Sequence, residues 1–447
     1  MKKTEERASR GILHTVDITD VAYGGKGVGR IQGKVVFVPF TAPGDRVIVK
    51  ITAEDKGFSH GVLKEIVEPS PMRVRPACPV YETCGGCSLQ HIAYGNQVEL
   101  KQRMLEESIK RIGGLESVAF DPPIASGAPL GYRTRTRIHV DAKGRWGFYE
   151  AVSRNVVDIR SCPVLDKPLN RAFSQIRDAL SSRLKFGKKG CWIETVELGA
   201  SSDDDKTSAA FYIKEDKARE LQAALFDVSE LKGIQVWDSV SRKKSFERGD
   251  AAVCYDVNGI VYKADISVFS QANHGLNRRL AGQVCDWAGL TGTHSRQTRV
   301  LELYSGAGNL TLQLARKATE VWAVESDPLA IDNARSNAAM NDVKNIRFHA
   351  SDTVGWLTRN LKDLERAAFD VVILDPPRTG DFDAARLIAH IKPKRIVYVS
   401  CSPPTLARDM SALARAGYKA LKAVLFDMFP QTYHVESIVG LEFVDKG

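Results

Sequence analysis

Four short apolar runs in the C-terminal part constrain the fold of this chain more than any other feature. Val300–Leu303, Val321–Val324, Val371–Leu374 and Ile396–Val399 are rich in branched aliphatic residues and alternate with longer, helix-like segments. Strands apolar on both faces need cover on both faces, so the alternation predicts a doubly wound parallel sheet from about Ser267 onward. In such sheets a ligand sits beyond the carboxyl ends of the strands. The residues just after each run are therefore the first candidates for a site.

The first run leads into Tyr304-Ser-Gly-Ala-Gly-Asn309, a glycine turn at the start of a helix. Gly306 and Gly308 let a ligand approach the backbone closely. Thr311 occupies the third glycine position of a dinucleotide fingerprint, which weakens a pyrophosphate reading. Glu325 ends the next strand and is placed to accept ribose hydroxyls. Asp352, after Ile346–Ala350, is placed to face an adenine. A glycine loop with strand-end acids and no third glycine suits S-adenosylmethionine better than a nicotinamide dinucleotide.

Asp375-Pro-Pro-Arg378 follows the third run, Cys401 follows the fourth, and Glu436 lies in a further polar segment near the end of the chain. A cysteine and carboxylates beside a methyl sulfonium suggest methylation at carbon 5 of a pyrimidine. That carbon becomes nucleophilic once a thiolate has added to carbon 6. Cys401 is the expected nucleophile, Glu436 the base that removes the carbon 5 proton, and Asp375 the group that holds uracil N3–H.

The N-terminal part reads differently. Five short strands are expected between residues 11 and 69, broken by Gly24, Gly25, Gly27 and Gly29, which suggests an OB-type barrel. A proline-rich boundary at 69–76 precedes Cys78, Cys84 and Cys87, a C-x5-C-x2-C run. Soft thiolates at this spacing suit zinc or an iron–sulfur cluster, and spacing alone does not separate the two. Cys162 is the expected fourth ligand, with His91 the alternative. Gln97–Ile112 is predicted to be a helix that packs on the catalytic domain and ends at Gly113-Gly114. Arg133, Arg135 and Arg137 alternate, and Lys143, Arg145, Trp146, Phe148 and Tyr149 follow. Cations and rings so placed suit phosphates and unpaired bases, though a solvated strand face over core aromatics fits equally.

Composition narrows the class. The 447 residues carry a net charge of +9, which permits a nucleic-acid partner, and eight cysteines are too few for a disulfide scaffold. No apolar run reaches the ~20 residues that span a bilayer, and the charged N-terminal stretch lacks the apolar core of a secretory signal. A cytoplasmic monomer without membrane contact is expected.

These motifs together resemble the RNA 5-methyluridine methyltransferases, and most closely the bacterial 23S rRNA uracil-5 enzymes. The resemblance rests on Phe269-Ser-Gln-Ala-Asn273, on Leu303–Leu312, on Asp375–Gly380 followed by Ile396–Cys401, and on Asp427–Ser437. It implies an N-terminal TRAM barrel (1–69), a central mixed α/β part with a 4Fe–4S cluster held by Cys78, Cys84, Cys87 and Cys162 (70–265), and a Rossmann-like catalytic domain (266–447). It implies cofactor contacts from Gln271, Tyr304, Asn309, Glu325, Asp352 and Asp375. It favours the cluster over zinc, and a large-subunit rRNA uridine over a tRNA T-loop uridine. Ser402 stands where the family has asparagine, which puts any contact of that asparagine in doubt. An adenine or protein methyltransferase would carry an aromatic residue where Arg378 stands. An iron–sulfur RNA-binding protein with an inactive transferase domain would not need Cys401, Glu436, Gln271 and Glu325 together.

Overall fold

The computed structural model describes residues 12–183, 191–291 and 297–444. The charged residues 1–11 lie outside them. The chain forms two compact units. One is the N-terminal part to Met104 with Tyr149–Arg154 and Phe429–His434; the other is Leu105–Phe148, Asn155–Met428 and the chain from Val435.

The first unit opens with six strands, β1 (Leu13–Asp17), β2 (Asp20–Ala22), β3 (Lys26–Ile31), β4 (Lys34–Pro39), β5 (Arg46–Glu54) and β6 (Phe58–Glu68). They pair in the order β1-β5-β6-β4-β3-β2. The sequence pattern suggests five. The sixth arises because the chain changes partner inside the loosely alternating Ile12–Val21 stretch. Ile18 N–H donates to Asp45 O at 2.8 Å, and Thr19 N–H then turns to Val28 O at 2.8 Å. Val16, Ile18, Val36, Val38, Val47, Val49 and Ile51 form the core of this sheet.

Helix α1 (Tyr94–Arg111) carries Leu100 and Met104 into a second apolar cluster with Val21, Ala42, Leu89 and Ile92. Its later residues belong to the second unit, where Leu105 and Ile109 are buried. Gly113 lies close to the Ala407 carbonyl there.

In the second unit, β7 (Ala119–Phe120) is followed by a seven-stranded sheet. Its strands are β8 (Arg135–Val140), β9 (Trp146–Tyr149), β10 (Val156–Asp158), β11 (Ile193–Ala200), β12 (Thr207–Ile213), β13 (Leu231–Asp238) and β14 (Lys244–Gly249), in the order β10-β9-β8-β11-β12-β13-β14. Helices α2 (Lys167–Arg183) and α3 (Ala218–Ala224) lie between its strands in sequence, and the hairpin of β15 (Ala252–Val257) and β16 (Ile260–Asp265) follows. Asp203–Asp205 is an exposed bend between β11 and β12, as its charge suggests.

Arg135 and Arg137 share one strand face, as their alternation implies, and both engage an internal acid. Both pair with Glu197 of β11, which stands opposite Arg137 in the ladder. Arg135 also donates to Val268 O and to Ile266 O. It is an internal strut. Trp146 is buried, so it too is core rather than a stacking platform.

The C-terminal elements are α4 (His274–Trp287), β17 (Arg299–Leu303), α5 (Thr311–Ala315), β18 (Glu320–Glu325), α6 (Pro328–Met340), β19 (Ile346–Ala350), α7 (Thr353–Ala367), β20 (Val371–Leu374), α8 (Phe382–Ile391), β21 (Arg395–Ser400), α9 (Pro403–Arg415), β22 (Tyr418–Phe426) and β23 (Glu436–Phe443). The sheet order is β19-β18-β17-β20-β21-β23-β22-β7. All four predicted runs are its parallel strands. Val371–Leu374 is wholly buried, as two-sided cover requires. Only β23 runs antiparallel to its neighbours. Among the described residues no helix is long and apolar enough to cross a membrane.

A buried ion pair closes the first sheet. Asp45 accepts from Arg73 at 2.8 Å through both carboxylate oxygens, from Ala42 N–H at 2.6 Å and from Ser70 N–H at 2.8 Å. Burial pushes the Asp45 carboxyl up, but Arg73 and the two backbone donors outweigh it and hold its pKa below the ordinary value. A depressed folded-state pKa contributes stability above the unfolded value, and that stability is lost as pH falls through the folded value. Arg73→Leu strands a buried carboxylate and should destabilise this unit by about 3 kcal/mol at neutral pH. Hydrogen exchange of the β3–β5 amides measures it: faster exchange is expected, and unchanged protection would contradict the assignment.

Candidate active site

Sheet register assembles the catalytic group. In the β21–β23 ladder Ser400 stands opposite Ser437. Cys401 follows β21 directly, and Glu436 begins β23 at this same carboxyl edge of the parallel strands. Asp375 follows β20, and its N–H donates to Leu303 O at 3.4 Å. The three side chains sense one another. Burial, then Glu436 and Asp375, pushes the Cys401 thiol up to about 12, while Arg378 pulls it down. Burial, then Asp375, raises Glu436 well above the carboxylate range, and burial raises Asp375. The sequence alone left the thiol's activation open. Desolvation first, and then the two acids, favour the protonated thiol over the thiolate.

Ser402, the departure from the family pattern, precedes α9 as its N-cap but makes no side-chain capping bond. Its N–H donates to Ser400 Oγ at 3.2 Å.

The cofactor candidates line the same edge. Tyr304 leaves β17 with a φ of 65°, and its hydroxyl donates to Asp381 Oδ2. Gly308 has a φ of 88°, and a Cβ there would lie 2.8 Å from Leu312 and 3.2 Å from Ala334. At Gly306, with a φ of 54°, a Cβ would meet no protein atom, so the cradle above this residue is open to a ligand. Gly306 N–H donates to Glu325 at 3.0 Å, which fixes the ribose candidate against the loop. Its other oxygen accepts from Ser326 Oγ and Asp327 N–H.

Gln271 is buried in a segment held on both sides. Thr134 binds Ala272 O through its N–H at 2.8 Å and its hydroxyl at 3.1 Å, and Asn273 accepts from Leu276 N–H at 3.1 Å as the cap of α4. Two candidates have structural engagements. Asn309 forms a reciprocal amide pair with Asn277, at 2.8 and 3.0 Å. Asp352 is exposed and caps α7 by accepting from Gly355 N–H at 2.6 Å.

Sequence reasoning missed Glu302. This buried acid on β17 has its pKa raised to about 8 by burial, with smaller contributions from Asp375 and Glu325. The Thr311 hydroxyl beside it pulls the other way without outweighing burial. A lone acid inside the apolar run Val300–Leu303 was the available signal. An open glycine cradle beside the strand-end acid Glu325 fits a ribose-bearing cofactor.

Cys78, Cys84 and Cys87 belong to the first unit and Cys162 to the second. None forms a disulfide. Gly85 N–H donates to Tyr149 O at 2.8 Å, and a Cβ on Gly85 would press to 3.0 Å on Ala151, so glycine is what brings the Cys84–Cys87 turn against this segment. Cys84 is raised by burial and by nearby Cys78, and Gly86 N–H donates to Cys84 Sγ at 3.4 Å. Among the described residues no three His, Cys, Asp or Glu side chains form a group compact enough for one metal ion. His91, the alternative ligand, hydrogen-bonds Tyr81 through Nδ1 at 2.7 Å.

The chain has relatives among known proteins. The chain is 34% identical over 446 residues to the 23S rRNA (uracil(1939)-C(5))-methyltransferase RlmD of Methylococcus capsulatus, covering 95% of this chain and 96% of that protein. It is 35% identical over 438 residues to the protein of the same name from Alkalilimnicola ehrlichii, covering 95% of each. Among solved structures it resembles the tRNA (uracil-54, C5)-methyltransferase of Pyrococcus abyssi in complex with S-adenosyl-L-homocysteine. That likeness has a TM-score of 0.75 and 26% identity, over 96% of this chain and all of the other. Residues 9–64 match the TRAM domain, and residues 93–444 match the tRNA (uracil-5-)-methyltransferase model. The chain therefore belongs to the tRNA (uracil-5-)-methyltransferase family.

Proposed function

We propose that this enzyme methylates carbon 5 of a uridine in structured 23S rRNA through a covalent adduct at Cys401. The observation that carries the reading is the convergence of Cys401, Glu436 and Asp375 on one strand edge beside the glycine cradle. S-adenosylmethionine, when bound, supplies an electrophilic methyl group. Gln271, Tyr304, Asn309, Glu325, Asp352 and Asp375 are the residues that would hold it. The Cys401 thiol gives up its proton to solvent and its sulfur bonds to uracil carbon 6, which moves the electron pair of the 5,6 double bond toward carbon 5 and O4. Asp375 accepts from N3–H and orients the ring. Once carbon 5 carries the methyl group, the Glu436 carboxylate takes the carbon 5 proton. The double bond re-forms and the thiolate leaves. The target base must first leave its stack to reach this edge.

Relatives at 34–35% identity named for an rRNA uridine support the rRNA target. The likeness to a tRNA uracil-54 enzyme keeps a T-loop uridine as the second reading. A TRAM match supports RNA binding, and the same reading makes the enzyme cytoplasmic and monomeric. Cys78, Cys84, Cys87 and Cys162 are proposed to hold a 4Fe–4S cluster. The C-x5-C-x2-C spacing of the first three thiols supports this reading. The three-part division at residues 69 and 265 is proposed on the same resemblance.

Mapping 5-methyluridine in rRNA and tRNA from a strain lacking the protein tests the target. Loss from one 23S site with intact tRNA is expected; loss from the T-loop alone would favour the second reading. The pH profile tests the chemistry. Both raised groups must lose protons to act, so turnover should climb about tenfold per pH unit while one deprotonation limits. A rate that stays flat or falls between pH ~6 and ~9 would contradict raised groups in both roles. Protein purified without oxygen should be brown with about four irons. A colourless, zinc-loaded preparation would overturn the cluster.

A further inference from the structure

The proposed chemistry leaves one buried carboxylate without a role. Asp409, on α9, is fully buried. Its Oδ2 accepts from the Tyr398 hydroxyl at 2.7 Å and from Asp381 N–H at 2.8 Å, and its Oδ1 accepts from Arg408 Nε at 2.8 Å. Asp381 caps α8 through Ala384 N–H at 2.9 Å, and its other oxygen receives the Tyr304 hydroxyl. Neighbours of Asp409 on α9 hold the same loop. Arg408 Nη2 donates to Thr379 O at 2.9 Å, and Thr405 Oγ1 donates to Arg378 O at 3.1 Å. Between Thr379 and Asp381 stands Gly380, with a φ of 63°; a Cβ there would collide with Asp409 and Arg408. Glycine at this position is what allows the loop backbone to lie against the carboxylate.

Three parts of the active site meet on this one group. Helix α9 begins two residues after Cys401. The stapled loop begins at Asp375 and carries Arg378. Tyr304 belongs to the glycine loop that would hold the cofactor. We propose that Asp409 is a positioning residue for methyl transfer. It fixes the Asp375–Arg378 loop against Cys401 and, through Asp381, ties that loop to Tyr304. Asp409 touches no reacting atom, and the inference rests on the methyl-transfer reading above. The physical reason for such a tie is geometric. Sulfur, base ring and methyl donor must align closely, and misplacement by about 1 Å costs on the order of a hundredfold in rate. A buried carboxylate with three donors resists such slippage, because any shift leaves its charge short of a partner. A merely structural carboxylate would instead lower stability, binding and turnover together.

The test uses the full-length, cluster-loaded enzyme as wild type, Asp409→Asn and Tyr398→Phe. Methylation kinetics on a transcribed rRNA fragment, calorimetric binding of S-adenosylhomocysteine and melting temperature are measured for each. Asparagine keeps the shape but offers an amide N–H2 where one donor now points. Its kcat should fall about tenfold or more, with the KM for RNA within about twofold and melting within a few degrees. Tyr398→Phe removes a single donor and should lower kcat in the same direction by a smaller factor. Wild-type kcat in a folded Asp409→Asn overturns the role. So does a loss confined to an unfolded Asp409→Asn while Tyr398→Phe keeps full kcat. A wild-type enzyme that makes no 5-methyluridine overturns this role together with the functional reading; an active wild type with an equally active Asp409→Asn overturns this role alone.

Discussion

Desolvation at one strand edge governs the site. Asp375, Glu436 and Cys401 share a largely desolvated corner in which Arg378 pulls against the rise of the thiol and of Glu436. Three adjacent negative charges there would be expensive, so all three groups are driven toward their neutral forms. An antiparallel β23 that begins at Glu436 beside a parallel β21 that ends at Ser400 brings the acid and the thiol to one edge of the sheet. The neutral resting state also makes chemical sense. A thiol held protonated is a poor nucleophile toward anything but a substrate that reorganises the charges around it.

The scaffold around that corner is built from polar ties rather than packing alone. The cofactor loop is pinned by Gly306 to Glu325, and the Gln271 segment by Thr134, Arg135 and Asn273. The Asp375 loop is pinned by Asp409, Arg408 and Thr405. Val268, Ala307 and Ala330 pack together, so the glycine loop and the Gln271 segment also share an apolar contact. Small residues at Gly306, Gly308 and Gly380 let backbone lie where side chains would otherwise stand. Loops so held present donors and acceptors at fixed positions, which is what alignment of a base ring with a methyl donor demands.

Much of this was legible in the sequence, for physical reasons. Buried parallel strands are continuous apolar runs, so Val300–Leu303 and its three counterparts stood out, and the residues after them marked the site edge. What periodicity does not reveal is the partner of a charged side chain. Arg135 reads as a surface cation on an alternating strand, yet Glu197 arrives from a strand some sixty residues away and turns it inward. Asn309 and Asp352 likewise sit where a cofactor residue should, while Asn277 and the α7 amides engage them. Glu302 and Asp409 went unnoticed because their significance is burial, which a single acid in a sequence does not announce. The partner change at Ile18, which makes six strands of an expected five, depends on Asp45 in a distant turn.

The central claim is that Cys401 bonds to the uridine and Glu436 frees it. Mass spectrometry of the Glu436→Gln enzyme, incubated with S-adenosylmethionine and substrate RNA and then digested, tests both halves at once. The account predicts a methylated uridine nucleotide attached to the peptide that contains Cys401, and no such adduct when Cys401 is also replaced by alanine. Free RNA methylated at normal yield by the Glu436→Gln enzyme, or an adduct on another residue, would contradict it.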